Sequence, residues 1–118
     1  MTRDDLEDGG AGQFIKVPDA IRALHDSIRI EVLVPDFHGR MDSVRQVLRA
    51  KPDVFSHNVE TVRSLYPSVR QGADYERSLG ILRSAKSASS RQITKSGIMV
   101  GLGESDGEIL ETIKEMQD

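Results

Sequence analysis

The residues best suited to chemistry stand where the apolar patterning of the chain breaks. Pro35-Asp36 ends the run Ile28-Arg29-Ile30-Glu31-Val32-Leu33-Val34, His57-Asn58 and Glu60 follow Val54-Phe55-Ser56, and Gly101-Leu102-Gly103-Glu104 follows Ile93 to Val100. Polar residues just past three strand-like segments fall on the rim where parallel α/β folds bind ligands. Gly97, Gly101 and Gly103 remove side chains where a ligand could approach the backbone, leaving amides free to donate to a base or a ribose. The same residue types also do structural work: Asn58 reads equally as a helix cap, and Gly101-x-Gly103 as a tight turn between strand and helix. A dinucleotide fingerprint is not met, because its sixth position is Asp106 and the next glycine is Gly107.

Other chemistries are poorly served. His25, His38 and His57 are too widely spaced to form a metal pair and read as surface or turn residues. No serine is read as a hydrolase nucleophile, and no cysteine is present to form a disulfide or a thiolate metal site. With 16 basic and 19 acidic residues and a net charge of -3, the chain offers no basic face for nucleic acid. No apolar run approaches the ~20 residues that span a bilayer, and the acidic start lacks the character of a signal or transit peptide.

The elements that must hold these residues read as repeating strand and helix units. A strand over Ile28–Val34 precedes a helix carrying Met41, Val44, Val47 and Leu48, which Lys51-Pro52 ends because a residue before proline resists the helical region. A second strand, Val54–Ser56, leads to a helix expected from Val59 to Tyr66 and closed by Pro67. A longer helix runs from about Asp74 to Ala88. A third strand covers Ile93 to Val100, and Ser105 with Glu108 forms a capping box for a last helix whose expected buried face is Ile109, Leu110, Ile113 and Met116. Ahead of the first strand a helix is expected at about Pro18 to Asp26, after a solvated acidic run and a flexible turn at Gly9–Gly12. Strands joined by helices of this length pair in parallel, giving an α/β fold of about three to four βα units. A complete TIM-type barrel needs about 250 residues, so this is a partial (β/α) barrel.

Taken in order, Arg3 to Phe14, Ile30 to Phe37, Asp53 to Thr61, Val69-Arg70-x-Gly72-Ala73-Asp74-Tyr75 with Ser78-Leu79, and Thr94 to Glu104 resemble lipoyl synthase over nearly the whole chain. That family belongs to the radical S-adenosylmethionine enzymes. The resemblance implies that residues 1–118 are the central fragment of a radical SAM barrel domain. It further implies S-adenosylmethionine and two 4Fe-4S clusters, and an activity that inserts sulfur at C6 and C8 of a protein-bound octanoyl group. Partners implied are an octanoylated lipoyl carrier protein and a reductant such as ferredoxin or flavodoxin, with no nucleic acid and no membrane. The compartment would be mitochondrial or plastid in a eukaryote and cytoplasmic in a bacterium.

By position, the resemblance places Asp4 to Gly12 near the methionine moiety of the cofactor. Asn58 and Glu60 match ribose and methionine contacts, Arg70 a basic residue facing the cofactor carboxylate, and Gly97, Gly101 and Glu104 the motif around adenine and ribose. No catalytic residue and no metal ligand is expected within the segment. The family's cluster cysteines and its closing strands fall outside these residues, and His38-Gly39-Arg40 departs from the family's usual Arg-Gly-Asp. The alternatives are a non-catalytic truncated remnant and a small nucleotide-binding α/β module. On the first of these, as on the family reading, the isolated chain does not turn over.

Overall fold

The computed structural model describes residues 6–117. Three short strands, β1 (Glu31–Leu33), β2 (Val54–Ser56) and β3 (Ile93–Lys95), form a parallel sheet in the order β1-β2-β3. Around it lie α1 (Ala11–Leu24), α2 (Met41–Arg49), the short α3 (Tyr66–Val69), α4 (Tyr75–Ala88) and α5 (Asp106–Gln117). Sequential order means that each crossover adds its strand on the same side, and α1, α2, α4 and α5 pack successively side by side. The α/β class expected from the sequence is therefore observed.

The alternation of β1 explains the layering. Ile30, Val32 and Val34 are buried with Phe55 beneath Val44 and Val47 of α2 and Ile81 and Ala85 of α4. Leu33 and Ile93, on the opposite face, remain 53% and 59% exposed. Strand side chains alternate between faces, so the helices cover one side of the sheet and leave the other open. On the open side Lys95 Nζ reaches over β2 to Glu31 Oε1 at 2.9 Å, and Ser56 Oγ donates to the same carboxylate oxygen at 2.7 Å. Those two donors hold the Glu31 carboxyl below the usual carboxylate range.

Several expectations need correction. The first helix begins at Ala11 and runs through Pro18, where it was expected to start. Its start is set by Asp8, whose carboxylate accepts the Gly10 and Gly12 amides at 2.8 and 2.7 Å after two left-handed glycines, so the buried Gly9-Gly10 turn is a built helix entry. The acidic residues Asp4 and Asp5 lie outside the described residues. The strands at Ile28–Val34 and Ile93–Val100 shorten to three residues each, with an isolated bridge at Ile98.

No helix forms from Val59. Instead residues 58–62 are non-helical, Arg63–Leu65 makes a 3-10 turn, and Pro67 lies at the start of α3 where its missing N–H is not needed. In α5 the capping box is present, with Ser105 N and Glu108 Oε2 2.8 Å apart, but Thr112 is the buried residue while Leu110 and Ile113 are 59% and 38% exposed. The helix is turned by Tyr75, whose hydroxyl donates to Glu115 at 2.6 Å and lies 3.3 Å from Thr112 Oγ1. The helices over Met41–Arg49 and Tyr75–Ala88 stand where the sequence places them, the latter capped by the Asp74 carboxylate on Arg77 N–H at 2.7 Å.

Candidate functional site

The open cleft at the carboxyl ends of β1 and β2 has a volume of ≈ 550 Å³ and is lined by Pro35, Asp36, His57, Asn58, Glu60 and Arg70, among others. Its shape originates in the backbone after β2. Glu60 takes a φ of 74°, a left-handed value that side chains other than glycine rarely adopt. The conformation is fixed by a parallel bridge to the third strand's extension: Glu60 N–H donates to Gly97 O at 3.0 Å, and Met99 N–H donates to Glu60 O at 2.7 Å. Val59 N–H is taken by Ser96 Oγ at 3.2 Å.

Asn58 is held from the same side. A Cβ on Gly97 would come within 3.3 Å of Asn58 Oδ1, so glycine at 97 is what allows that amide to sit against the backbone. Neither Asn58 nor Ser56 opens a helix here, which removes the capping use of Asn58.

Arg70 reaches the cleft from the turn after α3. Its guanidinium donates to Tyr66 Oη at 3.1 Å and lies 5.5 Å from that ring's centre, while Tyr66 Oη donates to Val59 O at 2.6 Å. Tyr66 thus orients Arg70 and ties it to the Asn58–Glu60 segment. Sequence reasoning missed it because its only mark is an aromatic next to Pro67.

Asp36 forms the opposite lip. Burial pushes its carboxyl up, but the His38 amide at 3.0 Å and the Arg77 guanidinium at 3.1 Å outweigh that, and the group stays below its ordinary value. An anionic Asp36 therefore faces the cleft at neutral pH.

His57 overturns its expected place at the surface: it is only 2% exposed. Its Nδ1 lies 2.9 Å from Val34 O, linking the ends of β1 and β2, and burial holds its pKa below 6.5. His25 and His38 are exposed as expected.

The glycine-rich strand end is arranged differently. Gly101 and Gly103 adopt φ of 91° and 116° in open space, and Glu104 turns back so that its carboxylate accepts the Gly101 and Leu102 amides, the latter at 2.9 Å. Its own amide and that of Gly101 lower its pKa. Asn58, Glu60 and Arg70 are therefore brought together and Gly97 abuts them, whereas Gly101 and Glu104 do not line this cleft.

Ser105 does stand in the Gly103-x-Ser105-x-Gly107 spacing of a hydrolase nucleophile elbow, which the sequence reading wrongly passes over. The structure gives it another role: its hydroxyl lies 2.8 Å from Glu108 Oε2 and caps α5, well past the end of β3. Among the described residues no group of three or more His, Asp or Glu could hold a metal ion, and no helix is long and apolar enough to cross a membrane.

A family model described as the radical SAM superfamily matches residues 13–116. The chain is 53% identical over 117 residues to a lipoyl synthase of Caldicellulosiruptor saccharolyticus, covering 99% of this chain and 41% of that protein. It is 51% identical to the lipoyl synthase of Caldanaerobacter subterraneus subsp. tengcongensis, over 100% of this chain and 41% of the relative. A lipoyl synthase of a Janthinobacterium species is also 51% identical, over 99% of this chain and 36% of its own length. The chain thus spans about two fifths of the curated relatives it matches.

Proposed function

The chain belongs to the radical SAM superfamily, and from that premise we propose that it is the central part of a lipoyl synthase whose cleft at the ends of β1 and β2 holds S-adenosylmethionine. The observation that carries this is the gathering of Asn58, Glu60 and Arg70 around one cleft. They come from segments that the bridge to Gly97 and Met99, the Tyr66 hydrogen bonds and the core around Val59 and Tyr66 bring together. An adenosyl and amino-acid ligand presents hydroxyls, an ammonium and a carboxylate. A carboxylate, an amide and a guanidinium in one cleft are the complementary set.

Within the whole protein the reaction would be insertion of sulfur at C6 and C8 of an octanoyl group carried on a lipoyl carrier protein, with a ferredoxin- or flavodoxin-type reductant. The sequential parallel strands with helices on one side support a partial barrel whose open face, with Glu31, Ser56 and Lys95, turns inward.

The residues present fit S-adenosylmethionine: Glu60 accepts its donors, Asn58 is pre-set by Gly97, and Arg70 waits on Tyr66 for an anionic group. When bound, the cofactor supplies the radical that activates C–H bonds. This chain's residues bind and orient it, which is the protein's share of such chemistry. Iron-sulfur clusters require thiolate ligands, and the chain has no cysteine, so its residues do not fit a cluster and no step is assigned to one.

Reading the coding sequence on both sides tests the proposal first. An in-frame Cys-x3-Cys-x2-Cys motif upstream is the expected result, and genuine stop signals on both flanks would overturn it. Calorimetric titration of the protein with S-adenosylmethionine tests the cleft itself: saturable binding that weakens in Glu60→Ala supports it, and no binding by the folded protein refutes it.

A further inference from the structure

One buried group in the cleft wall is not explained by packing. His57 is 98% removed from solvent, yet only one of its ring nitrogens is used. Val34 O can only accept, so the hydrogen must sit on Nδ1, and the neutral ring then carries a lone pair on Nε2. That Nε2 is buried and has no hydrogen-bond partner among the described residues.

Such an orphan costs folding free energy, and buried polar atoms are almost always paired. The bond to Val34 O uses Nδ1 alone and gives Nε2 no role. Meanwhile the ring stands beside Asn58 in sequence, lines the same cleft as Glu60 and Arg70, and feels the charges of Arg70, Asp36 and Glu60. The cleft wall also includes Gln71 and Gly72 of an exposed turn, where Gly72 has a φ of 82° and open space around its Cα.

We infer that His57 is a ligand-binding residue of this cleft, its Nε2 lone pair accepting a hydrogen bond from an O–H or N–H donor of the occupant once the wall shifts to admit it. This rests on the reading of the cleft as an S-adenosylmethionine site and adds to it a residue outside the Asn58, Glu60 and Arg70 set. The donor could be a ribose hydroxyl or an amino group, and both are polarised N–H or O–H groups of the kind a neutral imidazole accepts.

The test is a long-range proton–nitrogen spectrum of the histidine ring in the isotope-labelled protein, titrated separately with S-adenosylmethionine, adenosine and methionine. Nε2 should move toward the position of a hydrogen-bonded acceptor with S-adenosylmethionine while Nδ1–H stays in place. Adenosine alone reproduces the shift if the donor is on the nucleoside, and methionine alone if it is the amino group. His57→Asn offers a donor to Val34 O in place of Nδ1 and removes the Nε2 acceptor together with the bulk of the ring. It should weaken S-adenosylmethionine binding roughly tenfold, with a lowered melting temperature from the cavity left by the ring. His57→Gln, which keeps an acceptor at the ε position and loses the bond to Val34, should also melt lower but keep its affinity for S-adenosylmethionine.

Saturable S-adenosylmethionine binding with an unmoved Nε2 and an unaltered Kd in His57→Asn would overturn the inference and leave the cofactor site standing. Absence of any binding by the folded protein would sink both. Should His57→Asn fail to fold, the ring spectrum of the unmodified protein decides.

Discussion

The segment after β2 and the segment after β3 carry similar signals, small and acidic residues following a strand, and the chain uses them in opposite ways. Asn58 to Thr61 is held by other parts of the molecule: Gly97 and Met99 bracket Glu60, Ser96 takes Val59 N–H, and Tyr66 takes Val59 O. Gly101 to Glu104 is held by itself, through the Glu104 carboxylate on its own turn, and it stays largely exposed. Where long-range hydrogen bonds impose a left-handed φ on a glutamate, the strain is maintained by the surroundings, and such strain gathers at functional positions. Where a turn is closed by a local carboxylate and its glycines take the unusual dihedrals, no strain is stored. Of the two, only the first has the character of a preorganised site.

The contrast is tested most severely at Glu60. Glu60→Ala removes a charged hydrogen-bonding group from the cleft, which should cost roughly 1.5 to 3 kcal/mol of S-adenosylmethionine binding, or about one to two decades in Kd. Calorimetry on wild type and variant measures it. An unchanged Kd would mean that the strained segment is structural and that the comparison has been drawn the wrong way.

A pair of glycine substitutions sharpens the same point. In Gly97→Ala the new methyl would press on Asn58 Oδ1 at 3.3 Å, so cofactor affinity should fall several-fold with little change in melting temperature. In Gly101→Ala the methyl meets nothing within 4 Å, but a φ of 91° costs an L-residue about 1 kcal/mol. Stability should drop and affinity hold. Parallel losses of affinity in both would erase the distinction between the two segments.

The sequence conveys the order of the strands and the helices α2 and α4 well because their signals are local. Met41, Val44, Val47 and Leu48 recur at helical spacing, and Asp74 caps the helix it precedes. It misleads at residues 59–66, where Val59, Val62 and Leu65 show the same spacing but the backbone hydrogen bonds of Glu60 go to Gly97 and Met99 instead of to a helical turn. Such competition between local periodicity and distant partners is not visible in a window of neighbouring residues. The start of α1 was hidden similarly: Pro18 suggests a beginning, while the decisive group is the Asp8 carboxylate.

At the candidate site, Asn58 and Glu60 stand out as polar residues after a strand, and Arg70 through family resemblance alone. The burial of His57 was not, because a histidine after a strand is as often exposed, and only the Val34 carbonyl and the surrounding core fix it inside.

That burial gives the next prediction, smaller than the substitutions above. The folded pKa of His57 lies below its ordinary 6.5, mainly through burial, with Arg70 lowering it further and the Val34 hydrogen bond, Asp36 and Glu60 opposing. In the unfolded chain the ring binds a proton near 6.5, so below that pH the unfolded state takes up more protons than the folded one. The contribution of His57 to stability is therefore complete above 6.5 and is lost as pH falls toward the lower folded value. Denaturant midpoints measured across this window should decline for the wild type and decline less for His57→Asn. Equal slopes would show that the ring is not held neutral by the fold.

The smallest effect is expected at His25, and it serves to check that the losses at His57 belong to its buried place and not to removal of a histidine. His25 terminates α1 through its backbone, with its N–H donating to Ile21 O at 2.9 Å, and its side chain is exposed. A backbone cap of this kind survives replacement of the side chain, and substitutions at exposed positions away from special features usually change stability by less than about 0.5 kcal/mol. His25→Ala should accordingly leave the cofactor Kd and the melting temperature nearly as they are in the wild type. If it weakened cofactor binding as His57→Asn is expected to do, loss of any histidine would suffice, and the buried ring would lose its claim to the effect.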